Sequence, residues 1–188
     1  MENKTFYAYL EQLSPISYGL EAYLNVALKE VSFKKNQLIA DIFFEEFPLI
    51  FVTKGTIKTA FDGLKEPGQT FIRFHFQESF IPRIGELDSN DYTKNCISMD
   101  ESILTVLPLK HEFNLRKLFP EYNDVIDKLH EYQLRELYMY IFQLRFEEGQ
   151  QRLDRLLMLQ PKLFQIASIG DISAAVGVHP HTLSTYRR

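Results

Sequence analysis

Hydrophobic positions recur with the period of an α-helix near both ends of the chain and follow β-strand patterns between them. Residues 5–30 carry apolar side chains at helical spacing, interrupted at Ser14-Pro15. Between Val31 and Leu107, short runs of β-branched and aromatic residues are separated by turn signals such as Asp62-Gly63. Many short strands at close spacing predict a small antiparallel barrel or roll.

The helical period returns at about Tyr122 and continues through an apolar stripe. The members of this stripe are Val125, Ile126, Leu129, Tyr132, Leu137, Tyr140, Ile141 and Leu144. Such a stripe either packs on the strands of its own chain or pairs with a second copy, as in a coiled coil. Its length favours the second interpretation, a homodimer.

The last residues predict two short helices joined by a tight turn. Ser168 and Asp171 have the spacing of a helix cap. Gly177 suits a turn that needs positive φ, and Pro180 is favoured at the first position of a helix. Leu183 gives the second helix its inward face. This pattern is a helix-turn-helix, whose second helix enters a DNA major groove.

The outward face of that second helix is hydrogen-bonding or basic, and no acidic residue follows Asp171. The candidate DNA contacts are His179, His181, Thr182, Ser184, Thr185, Arg187 and Arg188. An ordinary helical hairpin would share the glycine and the apolar spacing, but it would usually mix acids into its solvated face. The composition therefore favours double-stranded DNA as the partner.

Charge and composition limit the alternatives. The net charge is −4. Of the three segments 1–110, 111–146 and 147–188, the last alone has more basic than acidic side chains. A positive field this local suits a protein that needs two copies to hold DNA. The single Cys96 excludes an internal disulfide. No run of residues is long and apolar enough for a membrane span. We therefore expect a cytoplasmic protein without a membrane partner.

The order of these parts resembles the Crp/Fnr family of bacterial transcription regulators, over nearly the whole chain. The likeness is strongest in Arg152–Phe164 and in Ile172–Ser184, which look like the terminal domain of Bacteroidetes-type members. Val31–Ile39 and Phe51–Gly55 are similar to the opening strands of the cyclic-nucleotide-binding-like roll of that family.

The resemblance implies an α+β fold in three parts. Residues 1–110 would form an N-terminal antiparallel β-roll (a double-stranded β-helix, cyclic-nucleotide-binding-like) that acts as a sensor. Residues 111–146 would supply a long dimerisation helix and linker, and residues 147–188 the C-terminal helix-turn-helix domain. It also implies RNA polymerase as a further partner.

Two departures from the family pattern change the functional expectation. Nucleotide-binding members follow a Gly-Glu-Leu turn with an Arg that holds the cyclic phosphate. Here Gly85-Glu86-Leu87 is present, but no Arg lies between Arg83 and Arg116. We interpret the motif as coincidental, the roll as a degenerate or differently liganded sensor, and cAMP as not its effector. The candidate ligand-binding residues are Arg73, His75, Glu86 and Lys94.

The second departure is in the recognition helix. His181 and Thr185 occupy positions where relatives often carry Glu and Arg, and neither can bind guanine through two parallel hydrogen bonds as Arg does. His181 can still donate to or accept from a base edge, and Thr185 can reach a base or a phosphate.

An enzyme is the main rival class, because metal-binding cupins are also small β-rolls. His75 and Glu78 lack the second nearby histidine that such a site needs, and His111 is far off in sequence. We expect no catalytic residues, no metal and no cofactor beyond a small-molecule effector. The sequence thus predicts a homodimeric, sequence-specific DNA-binding regulator. The alternative is a ligand sensor or partner-binding module with a vestigial helix-turn-helix.

Overall fold

Two antiparallel sheets form the first half of the protein. A computed structural model describes residues 4–64, 70–83 and 91–186. The strands are β1 Lys29–Phe33, β2 Leu38–Ile39, β3 Leu49–Lys54, β4 Ile57–Gly63, β5 Thr70–His75, β6 Ser79–Phe80, β7 Tyr92–Ser98 and β8 Ser102–Leu107. Sheet A has the order β1-β8-β3-β6, and sheet B the order β2-β7-β4-β5.

Helices precede and follow the strands along the chain, and one short helix lies between the second and third strands. They are α1 Lys4–Leu13, α2 Tyr18–Ala27, α3 Asp41–Glu46, α4 Leu109–Leu118, α5 Pro120–Phe146, α6 Gly149–Leu159, α7 Leu163–Ile166, α8 Ile169–Val176 and α9 Pro180–Tyr186. The break between α1 and α2 falls at the predicted Ser14-Pro15, and α2 begins where Ser17 Oγ accepts a hydrogen bond from the Leu20 N–H.

The two sheets enclose one hydrophobic core. Successive side chains of a strand point to opposite faces, so each strand contributes one face to this core. Its buried members come from both sheets and are Phe33, Ile39, Ile50, Val52, Ile57, Ile81, Cys96, Leu104 and Val106. The predicted antiparallel β-roll and the α+β class are confirmed.

The pattern missed three elements and misplaced one turn. The short β6 and α3 carry too few residues to show a period, and α4 buries only Leu115. The predicted boundary after residue 110 consequently falls inside α4. Asp62-Gly63 does not turn, because β4 continues through Gly63, which pairs with Tyr92 of β7.

A second core joins the N-terminal helices, sheet A and the first half of α5. Its buried members include Phe6, Leu10, Leu20, Leu24, Phe51, Phe80, Leu115, Tyr122, Val125, Ile126 and Leu129. Three of the eight predicted dimer residues, namely Val125, Ile126 and Leu129, are therefore covered by their own chain. For these three the prediction of a dimer contact is corrected, since a side chain already buried has no apolar surface left for a partner.

Candidate nucleic-acid interface

Local hydrogen bonds shape the connection between α8 and α9. Ser168 Oγ accepts a hydrogen bond from the Asp171 N–H at 3.0 Å and caps α8. Gly177 ends α8 in the left-handed conformation, with φ of 65°. The Val178 N–H then donates to the Ser173 carbonyl at 3.0 Å, as is usual after a helix that ends in glycine. The predicted cap and turn are confirmed.

The second helix, α9, is held by its first and fourth residues. Pro180 opens it, as predicted, and His179 Nδ1 accepts a hydrogen bond from the His181 N–H at 3.2 Å. His179 thus acts as a helix cap, a role that the sequence analysis did not assign to it. Leu183 is the buried residue of α9 and packs in one cluster with Ile172. Its inward position turns the polar side of α9 to solvent.

Most of the candidate DNA contacts share that outward side. His179, His181, Ser184 and Thr185 are exposed, Thr182 is half-buried, and Arg187 and Arg188 lie outside the described residues. Ser184 Oγ donates to the Pro180 carbonyl at 3.0 Å, and Thr185 Oγ1 donates to the Thr182 carbonyl at 2.7 Å. Either hydroxyl can exchange this local bond for a base or phosphate by rotation about one single bond. Their contact with DNA stays a prediction.

The helix pair is docked on the outer face of sheet B. Lys58 Nζ of β4 lies 2.9 Å from Asp171 Oδ1 in the first turn of α8. Around this ion pair, one hydrophobic cluster unites both parts: Ala60, Ile72, Phe74 and Met99 from the roll with Leu153, Leu163, Ile172, Ala175, Val176 and Leu183. The orientation of α8 and α9 is therefore tied to the roll.

The long helix α5 also contacts the helix pair. Tyr140 Oη donates to the Ala175 carbonyl at 3.1 Å, and the Tyr140 ring lies 5.6 Å from the Phe71 ring of β5. Tyr140 was predicted to face a second copy of the chain. It instead lies between roll and helix-turn-helix, because its ring is wide enough to reach both.

The rest of the predicted dimer stripe is exposed. Tyr132, Leu137, Ile141 and Leu144 keep 38–53% of their surface accessible. Five more exposed apolar residues of α5 escaped the sequence analysis: Leu134, Tyr138, Met139, Phe142 and Phe146. Helical spacing selects only one narrow face of α5, and these five residues lie beside it. The high density of apolar residues after position 133 could have revealed them. So many exposed large apolar side chains on one stretch of helix are unusual on a monomer.

Three of the four candidate ligand residues share one face of sheet B. They are Arg73, His75 and Lys94. Thr59 of β4 pairs with Arg73 on one side and with Cys96 on the other, so these three paired side chains share a face. His75 and Lys94 are each two positions from Arg73 or Cys96 on the same strand and therefore lie on that face too. Glu86, with the whole Gly85-Glu86-Leu87 motif, lies outside the described residues. Lys94 Nζ is 2.9 Å from Asp41 Oδ1 and 5.4 Å from the centre of the Phe44 ring, so α3 already supplies an acidic partner for this lysine.

His75 is buried in the roll, where its Nε2 lies 3.1 Å from Thr59 Oγ1. Burial, helped by the positive charge of Arg73, lowers the pKa of His75 to about 3. Burial also raises the pKa of the neighbouring Cys96 thiol to about 11. Both groups are therefore uncharged at neutral pH.

The neutral His75 should make the stability of the protein depend on pH. In the unfolded chain His75 takes up a proton below its ordinary pKa of 6.5, whereas the folded protein resists protonation down to about 3. The contribution of the neutral His75 to the free energy of unfolding is thus fully present above pH 6.5 and is lost as the pH falls toward 3. When the pH falls from about 7.5 to about 5, the titration of His75 should lower the free energy of unfolding by about 2 kcal/mol.

Urea unfolding at both pH values measures this loss, with His75→Gln as the matched variant. Glutamine preserves a hydrogen-bonding group near Thr59 but does not titrate, so the variant should lose correspondingly less stability over the interval. Equal losses in both proteins would show that His75 is not the group responsible.

Within residues 4–64, 70–83 and 91–186, no three His, Cys, Asp or Glu side chains converge as they would around a metal ion. None of the described helices combines the length and apolar character needed to cross a bilayer.

The β-roll, the long helix and the terminal helix pair together define a class: the chain has the fold of the Crp/Fnr transcription regulators, as the sequence resemblance predicted. FixK2 from Bradyrhizobium japonicum matches with a TM-score of 0.62 and 14% identity, over 85% of this chain and 82% of its own. A protein described as a Crp/Fnr family regulator from Eubacterium rectale matches with a TM-score of 0.64 and 11% identity, over 95% and 85%.

A third similar structure is CLP, the c-di-GMP responsive global regulator of Xanthomonas campestris. It has a TM-score of 0.59 and 11% identity, over 90% of this chain and 89% of its own. No protein-family model matches the sequence, and no curated protein sequence matches it. The likeness therefore lies in the fold.

Proposed function

We propose that this protein is a sequence-specific DNA-binding transcription regulator that acts as a homodimer. One observation carries the proposal: α9 projects an exposed, hydrogen-bonding and acid-free face, while Leu183 anchors its other side in the core. A helix held in this way after a tight turn can enter a major groove. The regulators of the same fold make DNA the natural partner to test.

The proposal of a dimer rests on α5 and on charge. The exposed apolar surface between Leu134 and Phe146 offers a helix a place to pair with its copy. The net charge of −4 leaves little general attraction for DNA. Two copies of α9 on one duplex would double the number of contacts. Because the pairing is two-fold, the operator should consist of two related half-sites.

We further propose that cAMP does not operate this regulator. Lys94 belongs to the stretch Tyr92–Asn95, where the resemblance would place the phosphate-binding arginine of the family. It is engaged by Asp41, and a lysine lacks the two-pronged geometry of arginine. A different small-molecule effector would bind inside the roll, on the face of sheet B that carries Arg73. RNA polymerase is the partner on which a regulator of this type would act.

Selection of bound duplexes from a random DNA pool tests the proposal, with purified protein at low salt and with or without added cAMP. We expect two half-sites separated by about one helical turn, an affinity that falls steeply with salt, and no effect of cAMP. The double variant His181→Ala/Thr185→Ala should lose the selected sequence preference. The control Gln150→Ala, in α6, should keep it.

Two results would overturn parts of the proposal. If the selected pool binds no better than random duplex, the helix-turn-helix is vestigial and the chain is a ligand sensor or partner-binding module. If cAMP changes the selected sites or their affinity, the interpretation of Lys94 is wrong.

A further inference from the structure

The side chain of Arg152 in α6 lies between the ends of two other helices. Its Nε donates to the Val176 carbonyl at 2.6 Å, and its Nη2 donates to the Gly177 carbonyl at 3.4 Å. Its Nη1 donates to the Gln143 carbonyl at 3.4 Å and also to the Glu147 carbonyl. One guanidinium group therefore joins the end of α5 to the end of α8.

Both ends need such a partner. The last carbonyl oxygens of a helix find no N–H donors within the helix, and they form the negative end of its dipole. Two helix ends of this kind repel each other when they meet. The fixed fork of an arginine satisfies carbonyls on both sides at once and supplies the opposing charge. A lysine ammonium, as a compact point charge, cannot span the same set.

The surrounding contacts leave little room for another arrangement. A Cβ atom added at Gly177 would lie 2.8 Å from Leu144 Cδ2 of α5. One added at Gly149, the first residue of α6, would lie 2.5 Å from Val178 Cγ1. The joint between α5 and the helix pair is thus closely packed, and Arg152 is its polar centre.

We infer that Arg152 is a positioning residue that sets the angle of α9 relative to α5 and thereby the half-site spacing that the dimer accepts. This inference rests on the proposed function. If two α5 helices pair, the angle of each α9 to its own α5 determines the distance between the two recognition helices. A loosened joint would leave each α9 able to bind its half-site but would make the distance between the two recognition helices variable.

Arg155 provides a matched control on the same helix. It is one turn further along α6, and its Nε donates to the carboxylate oxygens of Glu147 at 3.0 and 3.1 Å. It is largely exposed and bonds a side chain rather than helix-end carbonyls. Arg155→Met therefore removes an arginine and an ion pair but leaves the joint intact.

The first measurement compares the selected operator with versions one base pair longer or shorter between half-sites, and with an isolated half-site. The wild type and Arg155→Met should discriminate against altered spacing by roughly tenfold or more. Arg152→Met should bind the isolated half-site normally and lose most of this discrimination, and Arg152→Lys should recover only part of it. Unchanged discrimination in Arg152→Met would overturn the inference. Loss of half-site binding would do so too, since Arg152 would then support the fold of the helix pair.

The second measurement needs no DNA. Spin labels are attached at Arg135→Cys in α5 and Ser184→Cys in α9, in a Cys96→Ala background, and the labelled chain is diluted into excess unlabelled protein. The distance distribution should be narrow in the wild type and in Arg155→Met and broad in Arg152→Met. Distance distributions of equal width would overturn the inference, whether or not the wild type binds an operator. Failure of the wild type to bind any operator would count against the proposed function alone.

Discussion

Replacing Leu137 and Ile141 together by glutamate is expected to convert the protein to a monomer and to abolish tight operator binding. Both side chains lie one turn apart on α5 and are 42% and 53% exposed. Burial of a whole Leu or Ile side chain contributes about 1.5–3 kcal/mol. Half of that, counted for four side chains across a two-fold interface, is roughly 3–6 kcal/mol. The dimer should therefore weaken by at least about a hundredfold.

Sedimentation equilibrium measures the dimer constant, and the operator affinity should fall with it. The matched control is Tyr18→Glu/Val26→Glu, which replaces two apolar residues of α2 that are both 86% exposed. It should leave the dimer intact. A thermal unfolding curve for each variant verifies that the monomer is folded. A dimer that survives both substitutions on α5 would place the interface elsewhere.

Replacing Gly149 by alanine is expected to disturb the helix-turn-helix. The new Cβ would lie 2.5 Å from Val178 Cγ1, closer than side-chain contacts allow, and 3.0 Å from Tyr186 Oη, which is a tight contact. Overpacking of this kind typically costs about 1–3 kcal/mol. Because Val178 lies just before α9 and Tyr186 is its last residue, relief of the clash would also move α9, and operator binding should weaken.

Gly170→Ala is the control, because it makes the same chemical change near the start of α8. Its Cβ would meet Ser168 Oγ at 3.6 Å, an ordinary contact. Alanine there should stabilise the protein by about 0.4–1 kcal/mol through lower entropy of the unfolded chain. Urea unfolding compares the two. If Gly149→Ala proves as stable as the wild type, the contact between α6 and Val178 is looser than a Cβ distance of 2.5 Å implies.

Features set by neighbouring residues could be predicted from the sequence. The cap at Ser168, the left-handed Gly177 and the start of α9 at Pro180 depend on side chains within a few positions of one another. The strands of the roll were recognisable for the same reason, since β-branched and aromatic runs between turn residues carry their own signal.

Features that depend on distant partners could not be predicted. An apolar stripe shows which face of α5 is hydrophobic but not what covers it, so Val125 and Leu137 looked alike although one is buried and the other exposed. Lys94 was a ligand candidate from the family pattern, and its ion pair could not be foreseen because its partner, Asp41, lies on a helix that the sequence pattern missed. The contacts of Arg152 could not be predicted either, since its acceptors are backbone carbonyls at the ends of other helices.

The hydrophobic cluster between sheet B and α8 has a consequence for how this protein can be altered. Ala60, Ile72 and Phe74 of the roll belong to the same cluster as Ile172 and Leu183. The helix-turn-helix therefore draws part of its folding free energy from the roll, and excision would leave it with an open apolar side. Replacing it with the helix-turn-helix of another regulator would require the facing strand residues to be replaced as well, since the side chains of the roll and of the helix-turn-helix pack against each other.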